Sequence, residues 1–315
     1  MPIPSPADQP NKAAAPQDQV QELGIDDIRL TKTLGEGAQG SVFCAELTKP
    51  HKLPPWTTRP TLVAVKVQKF KTKSHADSEE AAWEAEAHRR AGAHPHILPL
   101  FAAFRHGRRR FLVTELAAGD VRDEIEVWHR GLPPPAALQI GLQVALAVHH
   151  LHGQGLAHCD LKPDNVLLAA ELDPDVAICA KVADFGLAVQ ASDECLARIG
   201  GTLDYQPPEG LRGEWLDPRE ADVHAFGVLL YELLTGSRPY AVRRGDEDDR
   251  DAHLRSRAAA PSFSHRAWRE VGDEVTWLVK GCLAEDWAER PSAGAVVEVL
   301  EAAVYGRDDL LCTME

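Results

Sequence analysis

The chain has 315 residues, 44% of them hydrophobic, which excludes disorder of the whole and suggests about two lobes or domains. A formal net charge of −14 argues against non-specific binding to nucleic acid or to an anionic membrane, because both need basic stripes. No N-terminal run joins a positive start to an apolar stretch and no apolar run is long enough to cross a bilayer, so a soluble, cytoplasmic protein is expected, without excluding the nucleus.

Residues 1–24 are rich in Pro, Gln and Ala and read as a disordered tail. Over 28–47, two short alternating runs flank a glycine-rich turn and predict a hairpin. The Pro-rich "TKPHKLPPWTTRP" reads as an exposed loop. It leads to a third strand, "LVAVKVQ", whose period of two puts Val63, Val65 and Val67 on one face and Ala64 and Lys66 on the other. Residues 78–90 are rich in Ala and Glu and predict a helix with Ser78 as its cap. "LPLFAAFRHGRRRFLVTEL" predicts two more strands around a turn at His106-Gly107, which makes 25–116 a mostly β lobe with one helix.

The character then changes, and 117–304 predict a mainly helical lobe. A short amphipathic helix is expected around 120–130. Pro135 opens the next, in which Leu138, Leu142, Ala145, Leu146, His149 and Leu151 recur at helical spacing until Gly153 and Gly155 stop it. "ADVHAFGVLLYELLTG" is apolar nearly all round, as a helix at the centre of a lobe should be. A last helical region is expected from about 271 to 304, with a C-terminal tail over 305–315. The fold class is α+β.

Three motifs carry chemistry. "LGEGAQGSV" sets Gly35, Gly37 and Gly40 in G-x-G-x-x-G spacing, where glycine lets backbone N–H groups approach an anion with no Cβ in the way. A dinucleotide-binding turn would run straight into a helix, but "SVFCAEL" is a strand, so the turn is a hairpin lid. Lys66, beside a small residue and following that lid, points to a phosphate contact. A buried ammonium needs a carboxylate, and Glu79, Glu80, Glu84 and Glu86 are the candidates. "LAHCDLKPDNVLL", residues 156–168, gathers Asp160, Lys162, Asp164 and Asn165 in one polar break, for which a solvated turn is the competing reading.

Over roughly 28–303 the chain resembles the eukaryotic protein kinase family, serine/threonine type. The lid matches, "VAVK" is similar to the strand-lysine motif, and "HCDLKPDN" to the catalytic loop usually written H-R-D-x-x-x-x-N. "ADFGLA", "GTLDYQPPE", "ADVHAFGVLLYELLTG" and "AEDWAERPSA" follow in the family's order as the metal-binding motif, the end of the activation segment, the buried central helix and the late arginine motif. The resemblance implies a bilobal kinase-like fold and transfer of the γ-phosphoryl group of ATP, with Mg²⁺, to hydroxyls of a protein substrate. By the same resemblance Gly35, Gly37 and Gly40 cover the phosphates and Lys66 pairs with them, braced by Glu84, with Glu86 the runner-up. Asp160 accepts the substrate proton, Lys162 adds positive charge, and Asn165 and Asp184 hold Mg²⁺. Leu34, Val42, Ala64 and Leu167 sandwich the adenine, Thr114 stands as gatekeeper, and the backbones of Glu115 and Ala117 meet the base.

Cys159 departs from the family pattern, which has arginine there to pair with a phosphorylated activation segment. A neutral thiol cannot neutralise a phosphate. Between Asp184 and Glu209 only Ser192 and Thr202 carry hydroxyls of that type, and the resemblance gives Thr202 a contact with the catalytic loop. Independence from activation-segment phosphorylation is therefore expected. The six cysteines show no C-x-x-C spacing and fit free thiols, with Cys159 a small buried hydrophobe. Glu209 is expected to pair with Arg290, and Asp222 to brace the loop backbone. Asp120, Asp164 and the run 246–251 are candidates for attracting basic substrate residues, against a solvated surface as the simpler reading. A pseudokinase scaffold is the alternative function. Its usual mark is loss of the strand lysine, loop aspartate or metal aspartate, and Lys66, Asp160 and Asp184 are all present. Small-molecule kinases lack the Asp184-Phe185-Gly186 and Pro208-Glu209 elements.

Overall fold

The computed structural model describes residues 23–37, 40–53, 60–69, 75–173, 176–191, 200–214, 217–240, 242–243 and 245–306, with backbone alone at 69 and over 75–81. Five antiparallel strands, β1 (Ile28–Gly37), β2 (Gly40–Leu47), β3 (Leu62–Lys69), β4 (Leu100–His106) and β5 (Arg109–Thr114), form one sheet in the order β1-β2-β3-β5-β4. The alternation along β3 buries Val63, Val65 and Val67 against Phe101, Phe111 and Val113, each side chain contributing about 1.5–3 kcal/mol of burial. Leu23 joins this core, and so does Leu53, which is only 2% exposed. The Pro-rich segment is thus not wholly an exposed loop: it forms a short helical turn at Pro50–Lys52 and plants Leu53 in the sheet, while 54–59 lie outside the described residues. Of the expected N-terminal tail, 1–22 lie outside them as well.

Helix α1 (His75–Ala91) starts three residues before Ser78, which is therefore inside it and not its cap. Ala76, Glu79 and Glu80 carry helix propensity of their own, so the helix extends back past the serine. The segment after α1 crosses to the second lobe. His96 O accepts from Val182 N, and Leu98 N donates to Val182 O, both at 2.9 Å.

The second lobe opens with β6 (Gly119–Asp120) and α2 (Val121–Trp128), whose N-terminus Asp120 caps by accepting from Asp123 N at 3.0 Å. Helix α3 (Pro134–Gly153) packs its apolar stripe inward, but His149, expected in that stripe, is exposed. Short strands β7 (Leu156–Ala157), β8 (Val166–Leu168), β9 (Ala180–Val182) and β10 (Val189–Gln190) carry the polar break of 156–168 and the Asp184 turn on top of α3. After α4 (Pro208–Arg212), α5 (Pro218–Thr235) is buried continuously from Ala221 to Thr235 and forms the lobe's axis. Then come α6 (Arg250–Ser256), α7 (Arg266–Cys282) and α8 (Ala293–Tyr305). The last helical region is thus two helices, not one run from 271 to 304. Helix α7 ends at Cys282 with Leu283 as its C-cap, and Ser292 starts a new helix by accepting from Ala295 N at 3.2 Å. Among the described residues no helix is long and apolar enough to cross a membrane.

Candidate active site

The cleft between the lobes is built around Lys66. Its Nζ lies 2.8 Å from Glu84 Oε1 and 2.8 Å from Asp184 Oδ1, which joins β3, α1 and the turn after β9. Glu84 is the glutamate that meets the lysine. Glu86 points outward to Arg89 and Arg90, and the side chains of Glu79 and Glu80 lie outside the described residues. Burial is the largest single influence on the Lys66 ammonium and lowers its pKa, but the facing charges of Glu84 and Asp184 together outweigh it and hold the pKa above the usual value. Burial is also the largest influence on both acids. It leaves Glu84 raised, while at Asp184 the lysine prevails and the carboxyl is lowered.

Asp222, fully buried on α5, fixes the polar break from below. It accepts from His158 N at 2.8 Å, from Cys159 N at 2.7 Å, and from His152 Nε2 at 3.0 Å. With its N–H so held, Cys159 takes a left-handed backbone at φ 62, and Asp184 does the same at φ 63. Such a conformation costs a non-glycine residue roughly 1–2 kcal/mol, and both instances flank the chemistry. Cys159 packs with Ala157, Ala191 and Ala221 as a small hydrophobe. Cys44, Cys159, Cys179 and Cys282 are free thiols.

Asp160 stands above this base with both oxygens engaged. Oδ1 accepts from Thr202 N and Thr202 Oγ1, each at 3.1 Å, while Oδ2 faces Asn165 Nδ2 and Lys162 Nζ at 3.0 Å. Lys162 also donates to Thr202 Oγ1 at 2.9 Å. Asn165 Nδ2 donates to Asp160 O at 2.7 Å as well, so its amide oxygen is the atom turned away from that carboxylate. Gly201 makes the approach of Thr202 feasible, since at φ 104 a Cβ would lie 2.7 Å from Cys159 O. Ser192 lies outside the described residues.

Asp164, half-exposed, meets Arg122 Nε at 3.5 Å, where a solvated turn was the competing reading. Arg122 in turn bonds Glu232 Oε1 at 2.8 Å and Tyr205 Oη at 2.7 Å. Two of the acids considered for basic substrate residues are therefore engaged within the chain, Asp164 by Arg122 and Asp120 by the α2 cap. In the run 246–251, Asp249 caps α6.

Phe185 is wholly buried between two imidazoles, stacked on His88 at 4.6 Å and edge-on to His158 at 5.4 Å. His158 Nε2 donates to Ala183 O at 3.0 Å and His88 Nε2 to Leu98 O at 2.6 Å, so both rings are structural supports of the Asp184 turn. Burial lowers the His88 pKa from 6.5 to about 4. The unfolded chain then binds more protons than the native one below 6.5, and stability falls as pH drops from 6.5 towards 4. From this group alone the loss at the acid end is about 3 kcal/mol. In urea unfolding between pH 7 and pH 4.5, His88→Leu should therefore lose less stability than the natural chain, and parallel losses would refute the assignment.

Above Lys66 the β1–β2 turn brings Gly35 opposite Val42 and Gly37 opposite Gly40. Among the described residues, nothing lies within 4 Å of a Cβ added at Gly35 or Gly37. Gly40 has another reason: at φ 151 its Cβ would sit 2.4 Å from Val67 O, so packing against β3 demands glycine. Val42, Ala64 and Leu167 are half-buried and Leu34 exposed, around the Thr114 end of β5, which pairs with Ala64. Glu115 spends its N–H on Pro99 O at 3.2 Å, and its side chain meets Lys181.

Behind the site, Arg290 grips Glu209 through two bonds, Nη1 to Oε1 at 2.6 Å and Nη2 to Oε2 at 2.9 Å, both side chains buried. His224 is buried and receives Arg257 Nη1 on Nε2 at 3.1 Å. A guanidinium only donates, so Nδ1 carries the proton and donates to Tyr205 O at 3.2 Å. Sequence reasoning missed Arg122, Arg257 and Gln68, which bonds the second oxygen of Glu84. For Gln68 a signal existed: it shares the period-two face of Lys66.

A family description, protein kinase domain, matches residues 28–300. The serine/threonine-protein kinase AtPK2/AtPK19 of Arabidopsis thaliana is 27% identical over 289 residues, covering 91% of this chain and 56% of that protein. PKZ1 of Phytophthora infestans, also named a serine/threonine-protein kinase, is 32% identical over 219 residues, 66% of this chain and 54% of its own length. AtPK1/AtPK6 of Arabidopsis thaliana is 28% identical over 277 residues, 86% and 53% of the two chains. The chain spans about half the length of these relatives. A kinase match over most of the chain, on a bilobal α+β fold whose strand lysine, helix glutamate and turn aspartate meet in the cleft, makes this chain a member of the protein kinase family.

Proposed function

We propose that the chain is an ATP-dependent serine/threonine protein kinase that does not depend on activation-segment phosphorylation. The observation that carries this reading is Lys66 held at 2.8 Å by both Glu84 and Asp184. Asp184 and Asn165 offer a carboxylate and an amide oxygen, the hard donors Mg²⁺ takes alongside phosphate oxygens. ATP supplies the transferable γ-phosphoryl group, and Mg²⁺ offsets the charge of its oxygens.

The chain's own residues then position and neutralise. Lys66 turns its ammonium from Asp184 towards the α- and β-phosphates, Gly35 and Gly37 present backbone, and Leu34, Val42, Ala64 and Leu167 enclose the base beside Thr114, with Glu115 and Ala117 offering backbone. Asp160 accepts the proton of the substrate hydroxyl, with Lys162 close enough to counter charge on the transferring group. The serine/threonine names of the relatives support that class of hydroxyl. The free thiols support a cytoplasmic location. Transfer of label from ATP to mixed Ser, Thr and Tyr peptides, with Asp160→Asn as control, tests the reading. A nucleotide-binding scaffold would show no transfer.

Activation independence rests on Cys159, which is packed among alanines and offers no cation, and on Thr202, whose hydroxyl is already committed to Asp160 and Lys162. Treatment with a broad phosphatase is expected to leave kcat within about twofold, a change worth under 0.5 kcal/mol. A collapse of activity would reject this part of the proposal.

A further inference from the structure

We infer that Gln68 is a positioning residue that keeps Glu84, and with it helix α1, in the arrangement needed for phosphoryl transfer; this rests on the reading proposed above. Gln68 follows Lys66 on the same face of β3 and is 6% exposed, against 3% for Glu84. The Glu84 carboxylate is shared between them: Oε1 meets Lys66 Nζ at 2.8 Å, and Oε2 accepts from Gln68 Nε2. The amide must face the carboxylate nitrogen-first, because its oxygen would repel, and Gln68 Oε1 is left buried with no hydrogen-bond partner among the described residues. An unpaired buried acceptor is a cost to folding, so stability alone gives no reason for a glutamine here.

The division of labour explains it. Lys66 already divides its ammonium between Glu84 and Asp184, and a nucleotide phosphate is a third claimant. Each new partner loosens its hold on Glu84. Gln68 is neutral, is not drawn to phosphate, and holds the other oxygen throughout. Next door, Trp83 Nε1 donates to Ala188 O at 2.5 Å, so adjacent residues of α1 are tied to β3 and to the segment after the Asp184 turn. Without Gln68, Oε2 is buried with no donor, and the cheapest remedy is for α1 to move outward into water. The lock needs no phosphorylated residue.

The test compares the full chain with Gln68→Leu and Gln68→Glu, by hydrogen exchange over 82–91 without nucleotide and by steady-state kinetics with ATP and mixed peptides. For Gln68→Leu, exchange over 82–91 should rise and kcat should fall, each by about tenfold, the scale of one hydrogen bond to a charged group, with the peptide KM unchanged. For Gln68→Glu, two carboxyls face each other and recover the bridge only by sharing a proton, so its activity relative to the natural chain should climb as pH falls from 8 to 6. A residue that merely fills space would leave exchange over 82–91 unchanged in Gln68→Leu, whose side chain is of similar volume. Unchanged exchange and kcat in Gln68→Leu, or a flat activity ratio in Gln68→Glu, overturns the inference. If the natural chain moves no phosphate, the kinase proposal falls by itself, and the exchange comparison still decides whether Gln68 holds α1.

Discussion

Asp160→Asn is expected to lower kcat by about 10³-fold while leaving the KM for ATP nearly unchanged, within the 10²–10⁴ range typical of a positioned acid or base. The substitution is nearly isosteric, so its effect is chemical. An amide cannot take the proton of the attacking hydroxyl. Nor can it sit quietly in this setting, because both carboxylate oxygens face donors: Thr202 N and Oγ1 on one side, Asn165 Nδ2 and Lys162 Nζ on the other. Whichever way the asparagine turns, its NH₂ confronts an N–H or O–H group. Quench-flow or initial-rate measurement with saturating ATP and peptide checks this, and retention of more than a tenth of kcat would remove Asp160 from the proposed role.

The second large effect is on stability. Arg290→Met leaves Glu209 charged and buried, and breaking such a pair from one side costs about 3–5 kcal/mol. Arg290 also donates from Nε to Ala284 O at 3.1 Å and from Nη1 to Glu220 O at 3.2 Å, so the loss reaches the α7–α8 connection and α5 together. At roughly 2–4 °C per kcal/mol in a domain of this size, the thermal midpoint should fall by about 10 °C. Glu209→Leu combined with Arg290→Met should recover much of that, since no unpaired charge remains. Calorimetry of the single and double variants decides the point, and a double variant no better than the single would show that the backbone bonds of Arg290, not its pairing, matter most.

How much of this was legible in the sequence follows from how local each signal is. The hairpin, β3 and the apolar α5 were readable because period and turn chemistry lie within a few residues. Helix ends were not. Ser78 looks like a cap but propensity carries α1 past it, and the Ser292 cap that starts α8 is hidden inside what reads as one long helical region. In the site, Lys66, Asp160, Asn165 and Asp184 stand in short motifs. Glu84 could be chosen only by register, with Glu86 close behind, and the structure separates them by burial. Arg122 and Arg257 were invisible for a different reason: each acts on a group 110 or 33 positions away in the chain, and no local pattern announces such a partner, while Gln68 showed its face on β3 but not the glutamate 16 positions on that it meets.

Asp222 has one more effect. Through His152 it reaches α3, and through the amides of His158 and Cys159 it reaches the loop bearing Asp160, all from within the axis of the lobe. Local melting of that loop would strand a carboxylate in the hydrophobic interior, so the loop's opening free energy approaches that of the lobe's global unfolding. The loop bearing Asp160 is thereby tied into the axis of the lobe and is expected to open only when the lobe itself does.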